Sequence, residues 1–144
     1  MSLAMTVVER EACLAGLHVG VLSVAGENGQ APLAVPIWYL YEPGGEVRLI
    51  TGARSRKVRL IGQAGRCSLC VQNEQPPYQY VTVEGPATIG GAPDPDETRA
   101  MAVRYLGGGA EAWLAANADG DAASVAVRLR PERWLSEDFG KAYR

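Results

Sequence analysis

Glu46-Val47-Arg48-Leu49-Ile50-Thr51-Gly52-Ala53-Arg54-Ser55-Arg56-Lys57 reads as a strand, 46–51, running straight into a basic helix start. Val58, Leu60 and Ile61 then recur with helical spacing as far as Ala64. A helix N-terminus carries about half a positive charge, so cations there cost about 0.3–1 kcal/mol each. Arg54, Arg56 and Lys57 collect at that end, and a bound anion would relieve the conflict. Free backbone N–H groups, the hydroxyls of Thr51 and Ser55 and the cationic heads together read as a phosphate cradle. The alternative is that these basic side chains face solvent and pair with remote carboxylates.

The segments on either side read mostly as short strands with Gly/Pro turns. Residues 7–16 form a short amphipathic helix ended by Gly16, and 18–24 a strand. Gly26-Glu27-Asn28-Gly29 is a hairpin turn. Residues 31–41 are a second strand whose Pro32 and Pro36 place it at a sheet edge or on a bulge. It is apolar on both faces, which predicts an exposed Trp38 at a dimer interface or ligand wall. Residues 67–72 and 78–89 are further strands, the latter bent at Gly85-Pro86. A helix over 97–106, capped by Asp94 or Asp96, precedes Gly107-Gly108-Gly109 and a short helix to Ala116. Residues 123–130 are the last strand, and 134–144 read as a tail. Six strands in hairpin order predict a mainly β chain with short helices, built as a small antiparallel barrel.

At 144 residues the chain is expected to be one domain, 1–144, with 1–5 and 136–144 as peripheral tails. The net charge of −2 argues against general nucleic-acid binding. Yet Arg48, Arg54, Arg56, Lys57, Arg59 and Arg66 fall within 48–66 without one Asp or Glu, which suits a small polyanionic ligand. No apolar run is long enough for a membrane helix, and no secretion signal is evident. Three cysteines, an odd number, fit a reducing compartment, so the expected location is cytoplasmic.

Several chemistries lack their residues. Cys67 and Cys70 have CxxC spacing but lie on a strand, where i and i+3 point to opposite faces, so they read as structural. One histidine cannot make an imidazole metal triad, and His18, on a strand beside Leu17 and Val19, reads as a core or interface residue and not as the base of a Ser-His-Asp set, so no metal site is expected. GxGxxG after a strand and GxxxxGK[ST] are both absent. A phosphate cradle without acid–base machinery points to a cofactor that carries its own chemistry.

Three patches, in order, resemble the FMN-binding split-barrel superfamily, the pyridoxamine 5′-phosphate oxidase-like proteins. Val35-Pro36-Ile37-Trp38-Tyr39 is similar to its V-P-x-W-[FY] strand, Thr51-x-x-x-Ser55-Arg56-Lys57 to its T-x-x-x-S-[RK]-K turn, and Tyr78 to Gly85 to its P-Y-x-x-V-x-V-E-G strand. The likeness is greatest to the small single-domain branch, some of whose members use the deazaflavin coenzyme F-420. It implies a six-stranded antiparallel split β-barrel, homodimeric, with two cofactor sites at the subunit interface. By position, Thr51, Ser55, Arg56 and Lys57 would hold the phosphate. Val35, Pro36, Ile37 and Trp38 would line the ring, and Tyr80 of the partner chain would approach it.

The family's C-terminal E-F-W-Q-G segment, with its Arg and His, is replaced here by Glu132-Arg133-Trp134 to Gly140 without a histidine, so oxidation of pyridoxamine phosphate is not expected. The resemblance implies instead an oxidoreductase binding FMN or F-420 and passing hydride or electrons to a small organic acceptor. The alternative is a carrier of flavin, deazaflavin, haem or a related pigment without turnover, in which Trp38, Tyr39, Tyr80 and Trp134 close the pocket. Nucleic acid and membrane partners are not expected.

Overall fold

The structure, a computed structural model, describes residues 2–118 and 124–143. Helix α1 (Val7–Ala15) begins at a reciprocal cap: Glu9 N donates to the Thr6 hydroxyl at 3.2 Å, and Thr6 N donates to the Glu9 carboxylate at 2.8 Å. Strands β1 (Gly20–Val24) and β2 (Leu33–Ile37) form an antiparallel hairpin. Strand β3 (Val47–Gly52), helix α2 (Arg56–Ala64), β4 (Arg66–Gln72) and β5 (Gln79–Ile89) follow. Helices α3 (Pro95–Leu106) and α4 (Ala110–Ala116) precede β6 (Ser124–Leu129) and β7 (Arg133–Asp138). The expected start of the last strand, Ala123, lies outside the described residues.

Six strands run in the order β2-β1-β4-β5-β6-β3, and β7 pairs with β5; every pairing is antiparallel. The concave side of this curled sheet holds the core. Leu22, Leu49, Leu69, Val71, Val81, Val83, Val127 and Leu129 point into it, and Leu14 of α1 with Leu60 and Ile61 of α2 fill its open sides. This is the split-barrel architecture that the family resemblance implies.

Strand β5 changes partners at Gly85, pairing with β7 through Glu84 and with β6 from Ala87. A Cβ at Gly85 would stand 1.9 Å from the Arg130 carbonyl oxygen, so only glycine allows the backbones this close. The bend read at Gly85-Pro86 is therefore where the sheet curls.

Three expectations are corrected. First, residues 134–144 are not a loose tail. Arg133–Asp138 is a seventh strand, and the N-terminal residues tie to it: Met5 N donates to Ser136 Oγ at 3.1 Å and Asp138 N to the Leu3 carbonyl at 2.8 Å. Met5, Ser136, Asp138 and Gly140 are buried, so the expected tails are tied into the fold at these positions, while Ser2, Ala4, Phe139 and Tyr143 stay exposed. Second, the strands do not all follow in hairpin order: β3 leaves β2 and pairs with β6, and among the described residues the chain after β2 meets β3 in a single backbone bridge, Leu40–Arg48. Strand β2 is an edge, as its prolines require, and the barrel is split between it and β3. Third, Trp38 is not bare, because Tyr105 of α3 stacks on it at 4.9 Å and 3° between planes.

Candidate functional site: a cleft in the split of the barrel

Beyond the Leu40–Arg48 bridge, β2 and β3 diverge and leave a cavity of about 400 Å³. Val19, Pro36, Ile37, Trp38 and Ile50 give it apolar walls; Thr51 and Lys57 give it a polar end. The sequence motifs therefore converge: the 35–38 strand and the 51–57 turn, though far apart in the chain, face each other across the split.

The cradle is built locally. Ser55 is the N-cap of α2, accepting from Val58 N at 3.3 Å, and its O–H remains available to donate. The first turn of α2 carries Arg56 and Lys57 and no acid, so the charge conflict read from the sequence is present in the fold. The Lys57 ammonium has no hydrogen bond or ion pair to any described residue. It is half-buried at the end of the cavity, a cation without an anion.

The other basic residues are largely engaged. Arg48 pairs with Glu42 at 2.6 Å and with Glu97 at 3.3 Å, Arg59 with Glu27 at 2.6 Å, and Arg66 with Glu132 at 3.0 Å. Arg56 donates to the Gln30 side chain at 2.9 Å, tethering α2 to the β1–β2 turn. Pairing with remote carboxylates thus accounts for three of the six, and Arg54 joins Lys57 in having no partner among the described residues.

Not every predicted residue lines this cleft. Val35 packs on the core, Arg56 turns toward Gln30, and Ser55 acts through its cap. Tyr80 lies on the outer face of the sheet, opposite Gln72 and Glu137, away from the cavity of its own chain. Tyr39 is buried, its hydroxyl donating to the Leu14 carbonyl at 2.6 Å; burial raises its pKa. Trp134 sits under Arg10, 4.6 Å from its ring, and does not close the cleft. Val19, Ile50 and Tyr105 were not expected. Ile50 could have been noticed, since it is apolar yet out of step with the inward Val47 and Leu49. Tyr105 gives no local signal.

Trp38 is held firmly. The Tyr105 hydroxyl donates to the His18 carbonyl at 2.7 Å and accepts from Tyr39 N at 3.1 Å, which fixes the ring stacked on Trp38. The two His18 ring nitrogens face the Cys13 and Gln72 carbonyls at 2.9 and 3.2 Å, a structural tie. Burial pushes the Cys67 thiol up to about 11, so it stays protonated and inert at neutral pH. Among the described residues, no group of three or more His, Cys, Asp or Glu is placed to hold a metal.

A family profile described as pyridoxamine 5′-phosphate oxidase matches residues 8–137, nearly the whole chain. The chain belongs to the pyridoxamine 5′-phosphate oxidase family. No curated protein is similar enough in sequence to count as a match. Among solved structures, Rv2991 of Mycobacterium tuberculosis, a conserved hypothetical protein, is 23% identical with a TM-score of 0.78, the match covering 99% of this chain and 91% of that one. An F420 reductase is 23% identical with a TM-score of 0.61, covering 87% and 94%. An FAD-binding protein of Mesorhizobium loti is 20% identical with a TM-score of 0.62, covering 92% and 94%. At these identities the likeness carries the family's fold and leaves this chain's ligand to its own residues. No helix among the described residues is long and apolar enough to cross a membrane.

Proposed function

We propose that the protein is an oxidoreductase that binds a flavin-type cofactor, FMN or deazaflavin F-420, in the split between β2 and β3. One observation carries this reading: a half-buried, unpartnered Lys57 closes one end of a cleft whose other walls are the apolar Pro36, Ile37, Trp38 and Ile50. A planar ring with a phosphate on a short tail matches both ends. Lys57, the Thr51 and Ser55 hydroxyls and the first-turn amides of α2 would hold the phosphate, with Arg56 free to swing from Gln30. Pro36, Ile37 and Trp38 would lie along the ring. Bound there, such a cofactor supplies a two-electron hydride carrier, and the chain contributes orientation and exclusion of water.

Of the two cofactors, FMN matches the free charge better. Within 48–66, Arg48, Arg59 and Arg66 are ion-paired, so beyond Lys57 the long polyanionic tail of F-420 would find Arg54 and, released from Gln30, Arg56.

The working unit in this proposal is a homodimer. The outer face of the sheet carries the cross-strand row Pro36, Val21, Cys70, Thr82 and Leu135, uncharged across five strands. Val21 and Leu135 are 42% and 60% exposed there. A second copy covering this row would bring its Tyr80 toward the cleft.

Titrating the purified protein with FMN and F-420 while recording absorption spectra tests the binding. One of them should bind at micromolar Kd or tighter; binding of neither refutes the reading. Turnover of the reduced cofactor with quinones and enones separates an enzyme from a carrier, the second reading.

A further inference from the structure

We propose that the helical insertion builds a second compartment, beside the cofactor cleft, that binds a neutral planar ring compound as electron acceptor. It rests on the cofactor reading above. This cavity measures about 650 Å³ and shares Ile50 and Thr51 with the cleft. Trp113 of α4 lines it and meets Trp38 of the cleft at 6.0 Å between centroids, 49° between planes. The two spaces therefore share Ile50 and Thr51 as common wall residues, and Trp38 of the one touches Trp113 of the other.

The lining selects the class of occupant. Pro93, Pro95, Trp113 and Leu114 add apolar wall to Ile50, and the volume falls in the small-molecule range. The 36% exposed ring of Trp113 offers a stacking surface. Charge separates this space from the cleft. Its Arg99 is ion-paired with Glu111, and its other charged lining residue, Asp96, repels anions. No unengaged cation among the described lining residues faces it, whereas Lys57 awaits an anion next door. A neutral, flat, conjugated molecule fits; a carboxylated or sulfonated one does not. For a quinone, two electrons and one proton arrive as hydride from the reduced cofactor and a second proton from water. The products are hydroquinone, hydroxide and the oxidised cofactor.

The test is a binding titration read by quenching of tryptophan fluorescence. The probes are menadione, its anionic sulfonate analogue, FMN and FAD, on wild type, Leu114→Trp and Trp113→Ala, each checked for folding by circular dichroism. Leu114→Trp should weaken menadione at least tenfold and leave FMN and FAD within twofold. Trp113→Ala should also weaken menadione, and wild type should bind the sulfonate at least tenfold more weakly than menadione. Unchanged menadione affinity in both variants overturns the proposal, as does equal binding of sulfonate and menadione by wild type. A loss of FAD but not FMN in Leu114→Trp also overturns it, because the compartment would then hold the cofactor's adenine. If FMN and FAD fail on wild type here and F-420 fails in the absorption titration above, the cofactor reading falls, while the menadione series still decides the compartment.

Discussion

Lys57 concentrates the account at the residue scale: it sits where a helix dipole disfavours it and no described carboxylate compensates it. Lys57→Ala is expected to weaken cofactor binding by about 1.5–3 kcal/mol, the range for hydrogen bonds to charged groups. A calorimetric difference of a few tenths would reduce it to a solvated side chain. Tyr39 makes a purely structural contrast. Tyr39→Phe strands the Leu14 carbonyl at the end of α1, and urea denaturation should show a loss of about 1–3 kcal/mol. Glu9 gives a pH dependence. Its hydrogen bond to Lys141 and its place in the α1 cap hold its carboxyl down at about 2, against 4.5 ordinarily. The folded state thus favours the charged form, so this stabilisation is complete above about pH 4.5 and is lost as pH falls toward 2. The melting-temperature gap between wild type and Glu9→Gln should close over that window; a gap that persists at pH 2 would contradict the assignment.

At the element scale, the sequence was most legible where local chemistry sets local geometry. The β3-to-α2 turn, the edge position of β2 and the bend at Gly85 follow from basic, proline and glycine residues that admit few conformations. Gly85→Ala drives a methyl into the Arg130 carbonyl and should cost about 3 kcal/mol or more, measured by thermal melting of the variant. A variant as stable as wild type would mean that β5 can move away from β6. Strand β7 was illegible for an equally physical reason. Arg133, Ser136, Glu137 and Asp138 show no apolar alternation, and the strand exists through its ladder with β5 and its bonds to Leu3 and Met5. The role of α3 was hidden too, since nothing near Tyr105 in sequence announces that it stacks on a tryptophan 67 positions earlier.

On the scale of the whole molecule, long-range pairing separates what motif order reveals from what it leaves out. Residues 35–38 and 51–57 could be recognised as two halves of one site, yet the void between them exists only because β3 joins β6 and leaves the barrel open. The basic stretch 48–66 misled in the other direction, because Glu27, Glu42, Glu97 and Glu132 reach it from elsewhere. The uncharged row across the outer face yields a further expectation: wild type should sediment as a dimer at micromolar concentration and Val21→Lys as a monomer of unchanged fold. A monomeric wild type would remove the interface, and with it any approach of Tyr80 to a neighbouring cleft. The central claim, that the split holds a ring at one end and a phosphate at Lys57, is tested most directly by calorimetry with phosphorylated and phosphate-free ligands. FMN is compared with riboflavin, and F-420 with its deazariboflavin core, on wild type and Lys57→Ala. Wild type should prefer the phosphorylated member of at least one pair at least tenfold, and Lys57→Ala should lose most of that preference. Equal affinity for both members in wild type, or a preference that survives the substitution intact, would contradict it.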